Sequence, residues 1–135
     1  MGDLMKKTLT ALAAAGVVAA SLIATAPAAS ASGCVSSTLT TGLTQPATVA
    51  YKAASGCRDL NLTYAHDTSG QGRDYYEGWY KNSSGNWTAG SAGWIQVPDG
   101  SYAAGRIVLV SDLTSGRAFG VTSLFDSGDT VVITH

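Results

Sequence analysis

Hydrophobic and polar positions alternate over short stretches after residue 32, and no stretch keeps the 3.6-residue period of an amphipathic helix. Stretches rich in β-branched and aromatic residues are separated by clusters of Gly, Ser, Asn and Asp, which favour turns. Seven or eight short strands follow one another at a spacing of about ten residues. This pattern predicts an all-β, immunoglobulin-like sandwich of two antiparallel sheets, with a small β-barrel as the second choice.

Three stretches carry more specific predictions. VSSTLTTG, residues 35–42, is short and polar, which is typical of an edge strand or an extended N-terminal arm. RIVLVSD, residues 106–112, is the most apolar stretch, and we expect it in the middle of a sheet. RDLNLTYAH alternates cleanly, which predicts that four of its residues share the buried face: Leu60, Leu62, Tyr64 and His66.

Residues 1–31 are predicted to be a signal peptide that is removed. Lys6 and Lys7 form a basic head, TLTALAAAGVVAASLIA is apolar but short for a membrane span, and Ala29-Ser30-Ala31 has the small residues of a cleavage site. Residues 32–135 are then a secreted, extracellular chain of a length that suits one β-sandwich domain with an N-terminal strand or arm.

The two cysteines, Cys34 and Cys57, are predicted to form a disulfide, because export places them in an oxidising compartment. Closing this loop stabilises the fold by about 3 kcal/mol in the loop-entropy model. An alternative stays open, since Ala31-Ser32-Gly33-Cys34 has the small residues that precede a lipid-modified cysteine. Lipidation of Cys34 would leave Cys57 unpaired, which favours the disulfide.

Charge and catalytic motifs exclude several classes of function. Without Asp3, Lys6 and Lys7 the net charge falls from −1 to −2, which argues against nucleic acid or an anionic membrane as a partner. The chain has two histidines and no G-x-S-x-G motif, so it lacks the pattern of a serine hydrolase. Asp74 and Glu77 lie on opposite faces of a strand and cannot form a glycosidase pair directly. We expect no catalytic residues and no enzyme.

Three aspartates, Asp112, Asp126 and Asp129, lie in neighbouring predicted turns and could contact a hard cation such as Ca²⁺. Aspartate is also a favoured turn residue in the absence of any metal. We therefore expect no metal site and no cofactor.

The stretch DYYEGWYKNSSGNWTAGSAGW, residues 74–94, holds six of the eleven aromatic residues of the chain. Strand alternation places Tyr76 and Tyr80 on one face with Gly78 between them, and we predict that this face lies in the core. The opposite face carries Tyr75 and Trp79 together with charged residues, and we predict that it faces solvent.

An outer face with large rings has two interpretations. Cross-strand aromatic pairs can simply stabilise a sheet, by up to about 1 kcal/mol per pair. Tyrosine and tryptophan also dominate protein-binding hot spots and stack on sugars. We favour recognition, and we expect the following residues to contact a partner: Tyr75, Glu77, Trp79, Lys81 and Trp87.

The stretches CRDLNLTY, EGWYK, WTAGSAGWIQV, IVLVSDLTSGRAFGVTS and DTVVITH resemble small single-domain proteins secreted by Streptomyces and related actinobacteria. Some of these are similar to the adaptor subunit of umbrella-shaped secreted toxin particles, which joins lectin subunits to a long toxin-bearing subunit. The resemblance implies a non-enzymatic adaptor that binds other secreted proteins, the large subunits of such an assembly.

Two other functions remain open. An inhibitor of a secreted protease or amylase would bind its hydrolase through a rigid loop, and PDGSYAAGR (98–106) and DTSGQGRD (67–74) are the candidate loops. A glycan-binding module would need Trp79 and Trp87 to be coplanar and exposed.

Overall fold

A computed structural model describes residues 33–135, and the predicted signal peptide, residues 1–31, lies outside the described residues. Ten strands and no helix occur in this range. They are β1 (Ser36–Thr40), β2 (Ala50–Tyr51), β3 (Leu60–His66), β4 (Arg73–Lys81), β5 (Trp87–Ala89), β6 (Ile95–Pro98), β7 (Gly100–Ser101), β8 (Val108–Val110), β9 (Ala118–Ser123) and β10 (Thr130–Thr134). The described part of the chain holds no helix long and apolar enough to cross a membrane.

The strands form two separate five-stranded antiparallel sheets. The first sheet has the order β2-β9-β4-β5, with β6 also paired to β4, and the second has the order β1-β10-β3-β7, with β8 also paired to β3. The predicted two-sheet sandwich is therefore confirmed, and the small barrel is not formed. The largest fully buried apolar side chains are Tyr76, Phe119, Leu39, Leu60, Leu62, Leu109 and Ile133, from both sheets.

A bulge in β3 overturns one prediction about its faces. The pairing of β3 with β10 passes from Tyr64 to Leu62, so Thr63 is an additional residue without an opposite partner. A shift of one residue reverses the alternation of side chains. Leu62 and Ala65 are consequently buried, whereas Tyr64 and His66 are exposed. The expectation that Tyr64 and His66 share the buried face is wrong for this reason.

The edges of the second sheet are formed by polar and apolar strands alike. β1 pairs only with β10, so the prediction of an edge strand for residues 35–42 is confirmed. β8 pairs only with β3, and the expectation that residues 106–112 lie in the middle of a sheet is wrong. The apolar side chains of β8 serve the interior between the sheets, since Leu109 and Val110 are buried there.

Cys34 and Cys57 form the predicted disulfide, with their Cα atoms 5.4 Å apart. The bond joins the residues before β1 to the residues before β3, two strands of the second sheet that flank β10. A sulfur in a disulfide cannot also carry a lipid thioether, so the lipidated alternative does not apply to this structure. The bond indicates an oxidising, extracellular environment.

We predict that Gly78→Ala destabilises the sandwich by about 1–3 kcal/mol through overpacking. A Cβ atom at position 78 would lie 2.8 Å from the Cβ of Leu109 and 2.9 Å from Cγ2 of Val110. Urea unfolding measures the loss as a lower midpoint at an unchanged slope. A variant with the midpoint of the wild type would show that the sheets do not approach this closely at Gly78.

Candidate functional site

The outer face of β4 carries the predicted partner-binding residues. Tyr75, Glu77 and Trp79 are half-buried on this face, and the intervening Tyr76 and Gly78 are buried. Tyr76 is fully buried, while the next inward ring, Tyr80, is half-buried and packs against the core. The predicted division into two faces agrees with this burial, although the outward rings are more covered than expected. Lys81 and Trp87 are also half-buried.

Fixed contacts hold the rings of this face. The indole N–H of Trp79 donates a hydrogen bond to Oγ1 of Thr122, at 2.9 Å. The ammonium group of Lys81 lies 5.3 Å from the ring centroid of Trp87, a cation–π arrangement across the β4–β5 pair. Burial raises the pKa of Glu77, which lies between Tyr75 and Trp79 along β4. The rings are therefore held in place before any partner binds.

Residues 42–48 explain why the outer face is only half exposed. Gly120 of β9 lies opposite Trp79, and a Cβ atom on Gly120 would be 2.3 Å from the Cβ of Pro46. Gly42 forms an isolated bridge with Thr122 on the same strand. The segment thus closes over this part of the sheet, and Gly120 is the residue that leaves room for Pro46.

The ring-bearing face continues past the end of β9 into a turn. Leu124 and Phe125 are 47% and 38% exposed. Phe125 packs edge-on against Tyr75, with ring centroids 5.7 Å apart. Neither residue was predicted to contact a partner, although two adjacent apolar residues in the turn sequence SLFDSGD are a usable signal. We call Tyr75, Glu77, Trp79, Lys81, Trp87, Leu124 and Phe125 the ring face.

Four aspartates meet beside this turn, where the chain crosses between the sheets. Asp67 follows β3, Asp74 lies in β4, and Asp126 and Asp129 lie between β9 and β10. One carboxylate oxygen from each lies within 4.8 Å of the others. Three of the four are buried and Asp126 is half-buried. We call these four residues the carboxylate cluster.

The sequence predicted only part of this arrangement. Asp126 and Asp129 do lie together, as their spacing suggested, but Asp112 is not in the cluster. Asp112 instead forms an exposed ion pair with Arg58, at 3.0 Å. Asp67 and Asp74 were not predicted, because their approach to Asp126 and Asp129 depends on how the sheets pack.

Hydrogen bonds from backbone amides orient the cluster. Oδ1 of Asp74 accepts hydrogen bonds from the N–H groups of Tyr75, Leu124 and Phe125, with N···O distances of 2.7–3.1 Å. Oδ1 of Asp129 accepts from the N–H group of Thr68 at 2.9 Å. These bonds tie the turn that carries Phe125 to β4, and the turn after β3 to the residues before β10.

Burial and mutual repulsion shift the pKa values within the cluster. Burial raises the pKa of Asp74, against the opposing hydrogen bonds from backbone amides, and neighbouring Asp129 raises it further. Burial and the charge of Asp129 also raise the pKa of Asp126. Burial acts in the same direction on Asp67, but hydrogen bonds from Ser69 and nearby amides outweigh it and hold the pKa of Asp67 below its ordinary value.

The opposite end of β10 holds a Ser–His pair that is arranged for structure. Nε2 of His135 lies 2.9 Å from Oγ of Ser37, and Nδ1 accepts a hydrogen bond from the N–H group of Ala53 at 3.0 Å. The neutral ring therefore carries its proton on Nε2 and donates it to Ser37. A catalytic base needs the other tautomer, with Nε2 free to accept the proton of the serine.

The other residues and loops that the sequence suggested make contacts within the fold. The other histidine, His66, is exposed and lies 3.4 Å from a carboxylate oxygen of Asp99. The candidate inhibitory loop 67–74 begins and ends in the carboxylate cluster. A glycan-binding module would stack a sugar on the ring of Trp87. The ammonium group of Lys81 already lies over one face of that ring.

Comparison with known proteins yields no relative. No protein-family model, curated protein or solved structure matches this chain.

We predict that His135 makes stability depend on pH in the mildly acidic range. Burial lowers the pKa of His135, and the nearby charge of Lys52 lowers it further. The pKa of His135 is about 6.5 in the unfolded chain and lower in the folded protein. At pH values between these two, His135 binds a proton in the unfolded chain but not in the folded protein. Stability contributed by neutral His135 is thus present above this window and lost as the pH falls through it.

Urea unfolding of the wild type and of His135→Asn, at several pH values between about 7.5 and 5, isolates this contribution. Asn can still accept the hydrogen bond from Ala53 but does not titrate. The wild type should lose up to about 1.4 kcal/mol per pH unit relative to the variant. Parallel pH profiles for the two proteins would contradict the buried neutral histidine.

Proposed function

We propose that residues 33–135 are a non-enzymatic, secreted protein-binding module that acts as an adaptor subunit in an extracellular, toxin-type protein assembly. The observation that supports this most is the ring face. Its aromatic side chains are held by Thr122, Lys81 and Phe125 and yet remain partly accessible. Rigid aromatic anchors lose little conformational entropy on binding, and for this reason they dominate protein-binding hot spots.

The composition of the ring face suits a protein partner. Glu77 and Lys81 supply charges beside the rings, and Leu124 and Phe125 extend the apolar surface at one end. Specific protein–protein interfaces are enriched in aromatic residues and also contain polar and charged residues. The edge strand β1 provides a separate surface that could add a strand from a second protein. An adaptor requires two such surfaces.

The disulfide supports an extracellular location, and the partly buried Ser37–His135 pair has the tautomer that does not activate a serine. The disulfide thus supports export, and the tautomer of His135 argues against a serine hydrolase that uses this pair. The resemblance to the adaptor subunit of umbrella toxin particles supplies the more specific part of the proposal, the large secreted subunits as partners.

The test isolates complexes of the tagged protein from the culture medium of the producing organism and identifies the retained proteins by mass spectrometry. We expect large secreted subunits to be retained. Tyr75→Ala and Trp87→Ala should each weaken that binding by roughly 30-fold, the effect of losing a hot-spot residue. Tyr64→Ala is the matched control, because Tyr64 is an exposed aromatic residue of the second sheet.

Retention of the partner by all three variants would refute the ring face as the binding surface. A one-to-one complex with a single hydrolase would instead identify an inhibitor. Retention on polysaccharide without a protein partner would identify a glycan-binding module. Thermal unfolding of each variant confirms that the folded state is intact before binding is compared.

A further inference from the structure

The carboxylate cluster brings four acidic side chains together in a largely buried position. Four carboxylates lie together, and among residues 33–135 none of them is ion-paired with a lysine or arginine. Buried like charges repel one another strongly, because little water is present to screen them. Hydrogen bonds from Thr68 and Tyr76 to Asp129 reduce this cost but bring no positive charge.

Two buried oxygens of the cluster accept no hydrogen bond from any donor among residues 33–135. Of the eight carboxylate oxygens, six accept at least one hydrogen bond from the protein. The exceptions are Oδ2 of Asp74 and Oδ1 of Asp126, both of which are buried. Asp74 is fully buried, so bulk water does not supply the missing interaction. Buried polar atoms without partners are rare in folded proteins and indicate an ion, a water molecule or a shared proton.

We propose that Asp67, Asp74, Asp126 and Asp129 form a binding site for Ca²⁺. A single divalent cation would neutralise half of the formal charge of the cluster and would provide the partner that the two oxygens lack. This differs from the expectation, drawn from the sequence, that the chain has no metal site.

The chemistry of the ligands selects the cation. The cluster offers carboxylate oxygens and no histidine or cysteine, a set that suits a hard cation and disfavours Zn²⁺ or Cu²⁺. Ca²⁺ accepts six to eight oxygens in irregular geometry, as ligands from separate chain segments provide, whereas Mg²⁺ demands a near-ideal octahedron and retains several waters. Affinities of about 10⁻⁴–10⁻³ M are common for Ca²⁺ sites of extracellular modules.

The site would also order one end of the ring face. Asp74 accepts hydrogen bonds from the N–H groups of Leu124 and Phe125, and Phe125 packs against Tyr75. A cation bound to Asp74 and Asp126 would hold this turn at two points, the partner of the Phe125 amide and the residue after Phe125. The proposal of a cation site does not depend on the proposed function, since cation binding is measured without any protein partner.

Thermal unfolding and isothermal titration with CaCl₂ as the only added ligand test the proposal. Saturating Ca²⁺ should raise the Tm of the wild type by roughly 5–15 °C over its value in chelator, with a measurable heat of binding. Asp126→Asn should lose this response. In chelator its Tm should equal or exceed that of the wild type, because the substitution removes one of the repelling charges.

Asp112→Asn is the matched control and should keep the full response to Ca²⁺, since Asp112 lies outside the cluster. An unchanged Tm and no heat of binding in the wild type would overturn the proposal and would leave shared protons as the partners of the two oxygens. An equal rise in Asp126→Asn would identify a non-specific salt effect and would also overturn it. An effect of MgCl₂ as large as that of CaCl₂ would overturn the assignment to calcium.

Discussion

One end of this sandwich depends on the close approach of four carboxylates, three of them buried, where the chain passes between its sheets. β3 and β4 belong to different sheets, as do β9 and β10, and both connections run through the carboxylate cluster. Asp74 accepts a hydrogen bond from the backbone N–H group of Phe125, and Asp129 accepts one from that of Thr68. These bonds hold the two connections in place.

The two ends of the sandwich are held by different chemistry. Asp129 and His135 flank β10, a five-residue strand that spans about 17 Å, so the carboxylate cluster and the disulfide lie at opposite ends. The disulfide end is covalently closed, and the neutral ring of His135 joins the edge strand β1 to the residues after β2. Among residues 33–135 the carboxylate end has no covalent link, and hydrogen bonds and the packing of Phe125 against Tyr75 hold it, so it is the end that a bound cation can change.

Local periodicity was sufficient for the features that lie within one strand. The alternation along β4 correctly separated Tyr76 from Tyr75 and Trp79. The disulfide was predicted on a different basis, the oxidising compartment that the predicted signal peptide implies. Prediction failed where the structure depends on contacts between distant segments. The bulge at Thr63 is set by pairing with β10, and it turned Tyr64 and His66 outward. The carboxylate cluster likewise combines residues far apart in the chain, which no spacing rule identifies.

The ring face and the carboxylate cluster meet at the turn that carries Leu124 and Phe125, so the state of the cluster bears on the shape of the proposed binding surface. Site-resolved amide hydrogen exchange with and without Ca²⁺ tests this link most directly. Exchange at Leu124, Phe125 and Thr68 should slow by at least about tenfold in Ca²⁺, with a smaller change at His135 beside the disulfide end. Equal slowing at both ends, or none, would contradict a cation that orders the carboxylate end of the sandwich.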